Sequence, residues 1–239
     1  MSTHIAIGYS PEQQAQEAIL QACVHVKNQL NSVTTDLIIV FALPEYIIPE
    51  LSTIITRTLK PKYLIGSSCG SLIIPEGVTT NGITIIGINS TDIHFGIAAV
   101  NNLENQDMHY AGFDLARRAT QNLGSHKREA FISFAQGIEK NNVSFLRGIK
   151  ESLGVIFPVL GAISSDDLKH KNIFQLYQDQ ILHHSAVGLL LGGTLNLELS
   201  SGHGFKPLGK PRIITKVDGP IIRTIDDKPA AFLYKHFLG

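Results

Sequence analysis

Apolar residues along this chain follow two alternating rhythms. HIAIGYS, residues 4–10, has period two and predicts a strand. The next stretch carries Ala15, Ile19, Ala22, Val26 and Leu30 at helical spacing, with Ser10 and Pro11 reading as its capped start and Cys23 on its packed side. DLIIVF predicts a buried strand, PELSTIITRTL a second helix and KYLIG a second buried strand. Past the turn residues Pro75, Gly77, Asn81 and Gly82, ITIIGI predicts a further strand.

The order then recurs. DIHFGIAAV, EAFISFA and AVGLLLGG read as strands, and GFDLARRATQNL and SFLRGIKESLG as helices. IFPVLG leads into AISSDD, and NIFQLYQ is expected to pair with a strand near Gln180 to His183. Gly66 aligns with Gly161 at an offset of 95 and Phe41 with Phe134 at 93, so LIGSSC and VLGAISS fall at corresponding places. The expected class is α/β, with mixed sheets and helices packed on them. Two pseudo-repeated βαβαββ units, about 4–90 and 91–194, make up one domain over 1–239 with a closing segment, 195–239. That segment reads as an alternating strand at LNLELSS, a Gly-rich turn and strands at RIITKV and IIRTI. A closing helix follows from Pro229, preceded by Asp226 and Asp227.

Composition narrows the function classes. The 239 residues are 44% hydrophobic and 17% charged, enough apolar material for a substantial core and too few charges for a disordered chain. Twenty basic residues balance twenty acidic ones without clustering, which argues against nucleic acid or an anionic membrane as partner. Cys23 and Cys69 are too few for a disulfide scaffold, no apolar run approaches a membrane span, and the N-terminus lacks a basic leader. A cytoplasmic location is therefore expected.

Strands of open α/β sheets present ligands at their carboxyl ends, so the loops after KYLIG and IFPVLG are the candidate site. The residues are Gly66, Ser67, Ser68, Cys69, Gly70 and Ser71 in the first loop, and Gly161, Ser164, Ser165, Asp166 and Asp167 in the second. Such loops turn tightly, bring backbone N–H groups close to a ligand and offer hydroxyls and carboxylates to it. GSSCGS has neither the Gly-Lys-Ser/Thr ending of a phosphate loop, the dinucleotide G-x-G-x-x-G spacing, nor the G-x-S-x-G of a nucleophile elbow. Cys69 would need a base, and no local spacing assigns a histidine to it. His203 and Gly204, in the turn SGHGFKPLGKP, complete the candidate set. His183 and His184, adjacent on an expected strand, would point to opposite faces and not share a metal.

The strand with GYS, the run into LIGSSCGS, the loop GAISSDD, SSGHGFKPLGKPRIITKV and the ending IRTIDDKPAAFLYKHFLG together resemble the N-terminal region of FIST proteins. FIST is a sensory domain named for F-box and intracellular signal transduction proteins. His203, Gly204, Phe205, Thr215, Asp226, Pro229, Ala230 and Tyr234 occupy its most specific positions. Ser67 stands where the family tends to cysteine, Cys69 where it tends to threonine, and Leu72 where an acidic residue is common. The resemblance implies a non-enzymatic sensor of a small polar ligand such as an amino acid, coupled to signalling, with a C-terminal FIST portion or a signalling protein as partner. No cofactor is expected. The alternatives are a Cys- or Ser-dependent acyl-transfer enzyme and, because some relatives are haem-linked, a haem-binding gas sensor.

Overall fold

The structure, a computed structural model, describes residues 2–31, 34–136, 142–166, 173–200, 202–207, 209–219 and 221–238. The chain divides into two units, Met1–Leu197 and Glu198–Gly239. The first unit begins with β1 (Thr3–Ser10), α1 (Ala15–Leu30), β2 (Thr35–Ala42), α2 (Leu51–Leu59) and β3 (Pro61–Ser68). A hairpin of β4 (Leu72–Ile74) and β5 (Gly77–Thr79) precedes β6 (Ile83–Ser90). The same order follows in β7 (Ile93–Val100), α3 (Met108–Leu123), β8 (Arg128–Gln136), α4 (Asn142–Leu153) and β9 (Val159–Ser164). A hairpin of β10 (Gln175–Tyr177) and β11 (Gln180–Leu182) and then β12 (Ala186–Gly193) complete it.

The fold is α/β with mixed sheets, built twice. One sheet contains β1-β6-β2-β3 and the other β7-β12-β8-β9 in that order. Each has two antiparallel pairings followed by a parallel one. The registers coincide up to a shift between Leu191 and Gly192 in the second sheet: Phe41 lies opposite Thr84 as Phe134 lies opposite Val187, and Gly66 neighbours Val40 as Gly161 neighbours Ser133. The glycines and phenylalanines that align in sequence therefore occupy equivalent places. One joint breaks the likeness. Strand β10 runs antiparallel to β3 and extends the first sheet to six strands, whereas β4 and β5 pair only with each other.

Strand periodicity explains how the layers stack. On β2, Ile38, Val40 and Ala42 pack under α1 and α2, while Leu37, Ile39 and Phe41 face the second sheet. On β8, Phe131 turns to α3 and α4, and Ile132 and Phe134 turn to the first sheet. The rings of Phe41 and Phe134 meet edge-on in this middle layer, 5.2 Å apart. Helices thus cover the outer face of each sheet.

Several local details differ from the sequence expectation. Helix α1 begins at Ala15, because Ser10 Oγ accepts the Glu12 N–H and donates to the Gln21 side chain instead of capping. The stripe itself is buried at Ile19, Ala22, Cys23 and Val26. Residues 195–200 form no strand: lone alternation without a pairing partner does not make one. In the second unit β13 (Ile214–Asp218), β14 (Ile221–Ile225) and β15 (Lys228–Pro229) form a small antiparallel sheet, followed by α5 (Ala230–Leu238). Asp226 and Asp227 make the left-handed turn between β14 and β15 rather than a helix cap, and the Asp226 carboxylate accepts from the Ile213 N–H and Arg212. His183 and His184 lie in the turn after β11, not on a strand.

Candidate functional site

The two Gly-Ser loops leave β3 and β9 and meet. Ser67 Oγ lies 2.7 Å from Ser164 Oγ, the Ser165 N–H donates to the Ser68 carbonyl at 3.3 Å, and the Gly70 N–H donates to Ser165 Oγ at 3.1 Å. A Cβ on Gly70 would stand 2.3 Å from the Asp166 carbonyl oxygen, so a side chain there would force the loops apart. Gln175, on β10, donates to Ser164 Oγ at 2.9 Å and accepts from Ser185, and Ser68 Oγ accepts the Phe174 N–H at 3.2 Å. Ser67, Ser68, Ser164, Asp166, Gln175 and Ser185 are all buried. The seam is a hydrogen-bonded latch in which both repeats and the bridging hairpin take part. Cys69, Gly70 and Ser165 are half-buried, Ser71 and Gly161 are exposed, and Asp167 lies outside the described residues.

A second polar concentration lies at the open edge of β7. Helices α1 and α3 have equal length, so Gln21, His25 and Gln29 correspond in order to Asp114, Arg118 and Asn122. In the first repeat the Gln29 amide spans the N–H and carbonyl of Ile7, and His25 reaches the Tyr9 carbonyl, closing the edge of β1. In the second repeat Asn122 caps only the Ile97 N–H, at 2.9 Å, and Ala99 stands in the register position of Tyr9. Less side chain fills the edge. A groove of about 510 Å³ remains, lined by Asn101, Arg118, Gln121 and Asn122 and, from the hairpin, Tyr177 and Gln180. A neighbouring hollow of about 540 Å³ shares Arg118 and reaches Asp107 and Tyr110.

Arg118 is the charged residue that lines both, joined in the second hollow by Asp107 and Asp114. Its Nε donates to Asp114 Oδ2 at 2.7 Å while Arg117 holds Oδ1, so two guanidiniums share one carboxylate. Burial alone would raise the Asp114 pKa, but hydrogen bonds and charge from both arginines prevail and hold it below the usual value. The Arg118 side chain stays 55% exposed. Burial raises the Tyr177 pKa, with Arg118 opposing, so its phenol remains a donor at neutral pH. Sequence reading missed this groove because its walls come from β7, α3 and β10, far apart in the chain. The readable signal was Asp114, Arg117 and Arg118 at helical i, i+3 and i+4 spacing.

The FIST N domain model matches residues 36–228, most of the chain and both units. The chain belongs to the FIST N-domain family. An uncharacterized protein of Methanocaldococcus jannaschii is 30% identical over 99 residues, which cover 41% of this chain and 19% of that relative's length. Among solved structures, a cyanuric acid hydrolase aligns with TM-score 0.44 and 9% identity over 81% of this chain and 68% of the other. The cyanuric acid hydrolase from A. caulinodans aligns with TM-score 0.45 and 8% identity over the same shares of each chain.

Among the described residues of this FIST domain the groups suited to covalent chemistry lie apart. Burial, reinforced by Glu45, pushes the Cys69 thiol up to about 11, and burial pushes Cys23 up to about 12, so both are protonated at neutral pH. His183 bonds the Ile173 carbonyl, His184 pairs with Glu104 at 2.6 Å and His109 with Glu151 at 2.9 Å, while His94 stacks on His126. Among the described residues no hydrogen bond joins a histidine to Cys69 or to the loop serines, and no group of three His, Cys, Asp or Glu could hold a metal. No described helix is long and apolar enough to cross a membrane. His203 and Gly204 belong to the second unit, where the exposed His203 ring leans on Phe205 at 5.7 Å. That unit has its own apolar cleft of about 560 Å³ between α5 and the small sheet.

Proposed function

We propose that this FIST domain is the sensory part of a signalling protein and that it binds a small polar molecule with an acidic group, such as an amino acid, in the groove beside Arg118. The observation that carries this reading is the half-used guanidinium: Asp114 fixes Nε, and the exposed remainder of Arg118 faces amides and a phenol. A guanidinium held in this way presents donors to a carboxylate at little conformational cost, and the surrounding amides suit an ammonium or amide on the same ligand. The family supports a sensory role. The protonated Cys69 and the dispersed histidines disfavour acyl transfer.

The groove also suits signal output. Tyr177 and Gln180 belong to the hairpin whose Gln175 locks the seam, so a ligand gripping that hairpin would bear on the contact between repeats. Titration calorimetry with amino acids and small dicarboxylates is expected to find a ligand whose affinity falls at least tenfold in Arg118→Gln. Ser68→Ala, in the seam, is expected to leave affinity within a few-fold. The reverse pattern would move the ligand to the Gly-Ser loops.

A further inference from the structure

The two repeats join head to tail, and the joint leaves one spare half at each end. Hairpin β10–β11 lays Gln175, Leu176 and Tyr177 beside Ser67, Gly66 and Ile65 of β3. The equivalent hairpin β4–β5 is built alike, with Leu72, Ile73 and Ile74 paired to Thr79, Val78 and Gly77 across a two-residue turn, yet it joins neither large sheet. Its Ile73 is 86% and Val78 73% exposed. The equivalent edge, β9, ends the second sheet among the described residues and exposes Leu160 and Ile163. Gly66 and Gly161 show the difference directly. A Cβ on Gly66 would meet Leu176 from the hairpin at 3.3 Å, whereas the nearest atoms to one on Gly161 all belong to Ser133, on its own sheet.

We infer that a second copy of this chain fills the β9 edge with its β4–β5 hairpin, in the register Leu72 to Ala162, Ile73 to Gly161 and Ile74 to Leu160. This register is that of β10 on β3, transferred through the equivalent pairs of the repeats. Leu72 and Ile74 anchor the hairpin on the first core, which leaves its Ile73 and Val78 face unpaired; that face and the open, apolar β9 edge are both liabilities that pairing removes. A head-to-tail joint must close into a ring or grow into a filament, and a second copy supplies one hairpin and one edge, so a twofold dimer uses both without residue. The equal numbers of acidic and basic residues leave no net repulsion between copies. This inference is independent of the ligand reading above.

Sedimentation velocity of the full chain is expected to show a concentration-dependent dimer. The double variants Ile73→Lys with Val78→Lys, and Leu160→Lys with Ile163→Lys, should each be monomeric with an unchanged circular dichroism spectrum. A mixture of the two variants should recover a heterodimer, since one intact hairpin meets one intact edge. On the unmodified chain, amide exchange at residues 72–79 and 159–164 should slow as concentration rises. A chain monomeric at every soluble concentration, or a dimer with unprotected 159–164, would overturn the inference.

Discussion

Cys69 shows how position decides chemistry at the scale of one residue. It follows a strand within a Gly-Ser loop, where a thiolate could be stabilised by backbone N–H groups, and a backbone hydrogen bond near Ser71 does lower its pKa. Burial and the charge of Glu45 outweigh that bond and carry the value from 9.0 to about 11. The thiol's folded pKa is raised, so its contribution to stability is complete below pH 9.0 and is lost as pH climbs towards about 11. Maleimide labelling of the native chain should therefore be slow at pH 7 and accelerate between those limits, while the urea-unfolded chain reacts readily. Rapid stoichiometric labelling of native Cys69 at pH 7 would contradict the packed, protonated thiol and reopen acyl transfer.

At the scale of elements, legibility followed locality. The α1 stripe and the buried strands were readable because each is set by a short apolar period, and the Gly66 and Gly161 match was readable because a tight parallel pairing fixes both. Hairpin β4–β5 escaped notice because three-residue strands around Pro75 and Glu76 carry no period to detect. The destination of β10, on the other repeat's sheet, is set by packing across more than 100 residues and leaves no local trace. Helix pairing is a similar case. A Cβ on Gly112 of α3 would come within 2.0 Å of the Phe145 carbonyl oxygen on α4, and one on Gly148 within 1.9 Å of the His109 carbonyl oxygen on α3. Two reciprocal glycines let these backbones touch. Gly112→Ala and Gly148→Ala should each lower stability by roughly 1–3 kcal/mol, the usual cost of overpacking, measured by urea unfolding. Gly154→Ala, where a Cβ would meet nothing but the backbone is left-handed, should cost less, about 1 kcal/mol. Equal losses at all three sites would mean that the α3–α4 contact yields easily.

At the scale of the whole molecule, the division after Leu197 is a boundary open to attack. Residues 195–200, 202–207 and 211–213 carry no helix or strand, so no backbone ladder must break before a protease can bind them. Leu199 is 49% and Phe205 85% exposed, both good chymotrypsin targets. Lys206 and Lys210, equally exposed, are each followed by proline, which blocks trypsin at both bonds. Brief chymotrypsin treatment should therefore cut after Leu199 or Phe205 and release the first unit intact, whereas trypsin at the same dose should spare both lysines and cut only further on, after Arg212, which is exposed and followed by Ile213. The first unit holds both repeats, the seam and the Arg118 groove, so the cleaved product should keep the parent's ligand affinity in calorimetry. A loss of binding on cleavage would make the second unit, with His203 and its apolar cleft, part of the ligand site, because all the groove residues survive the cut.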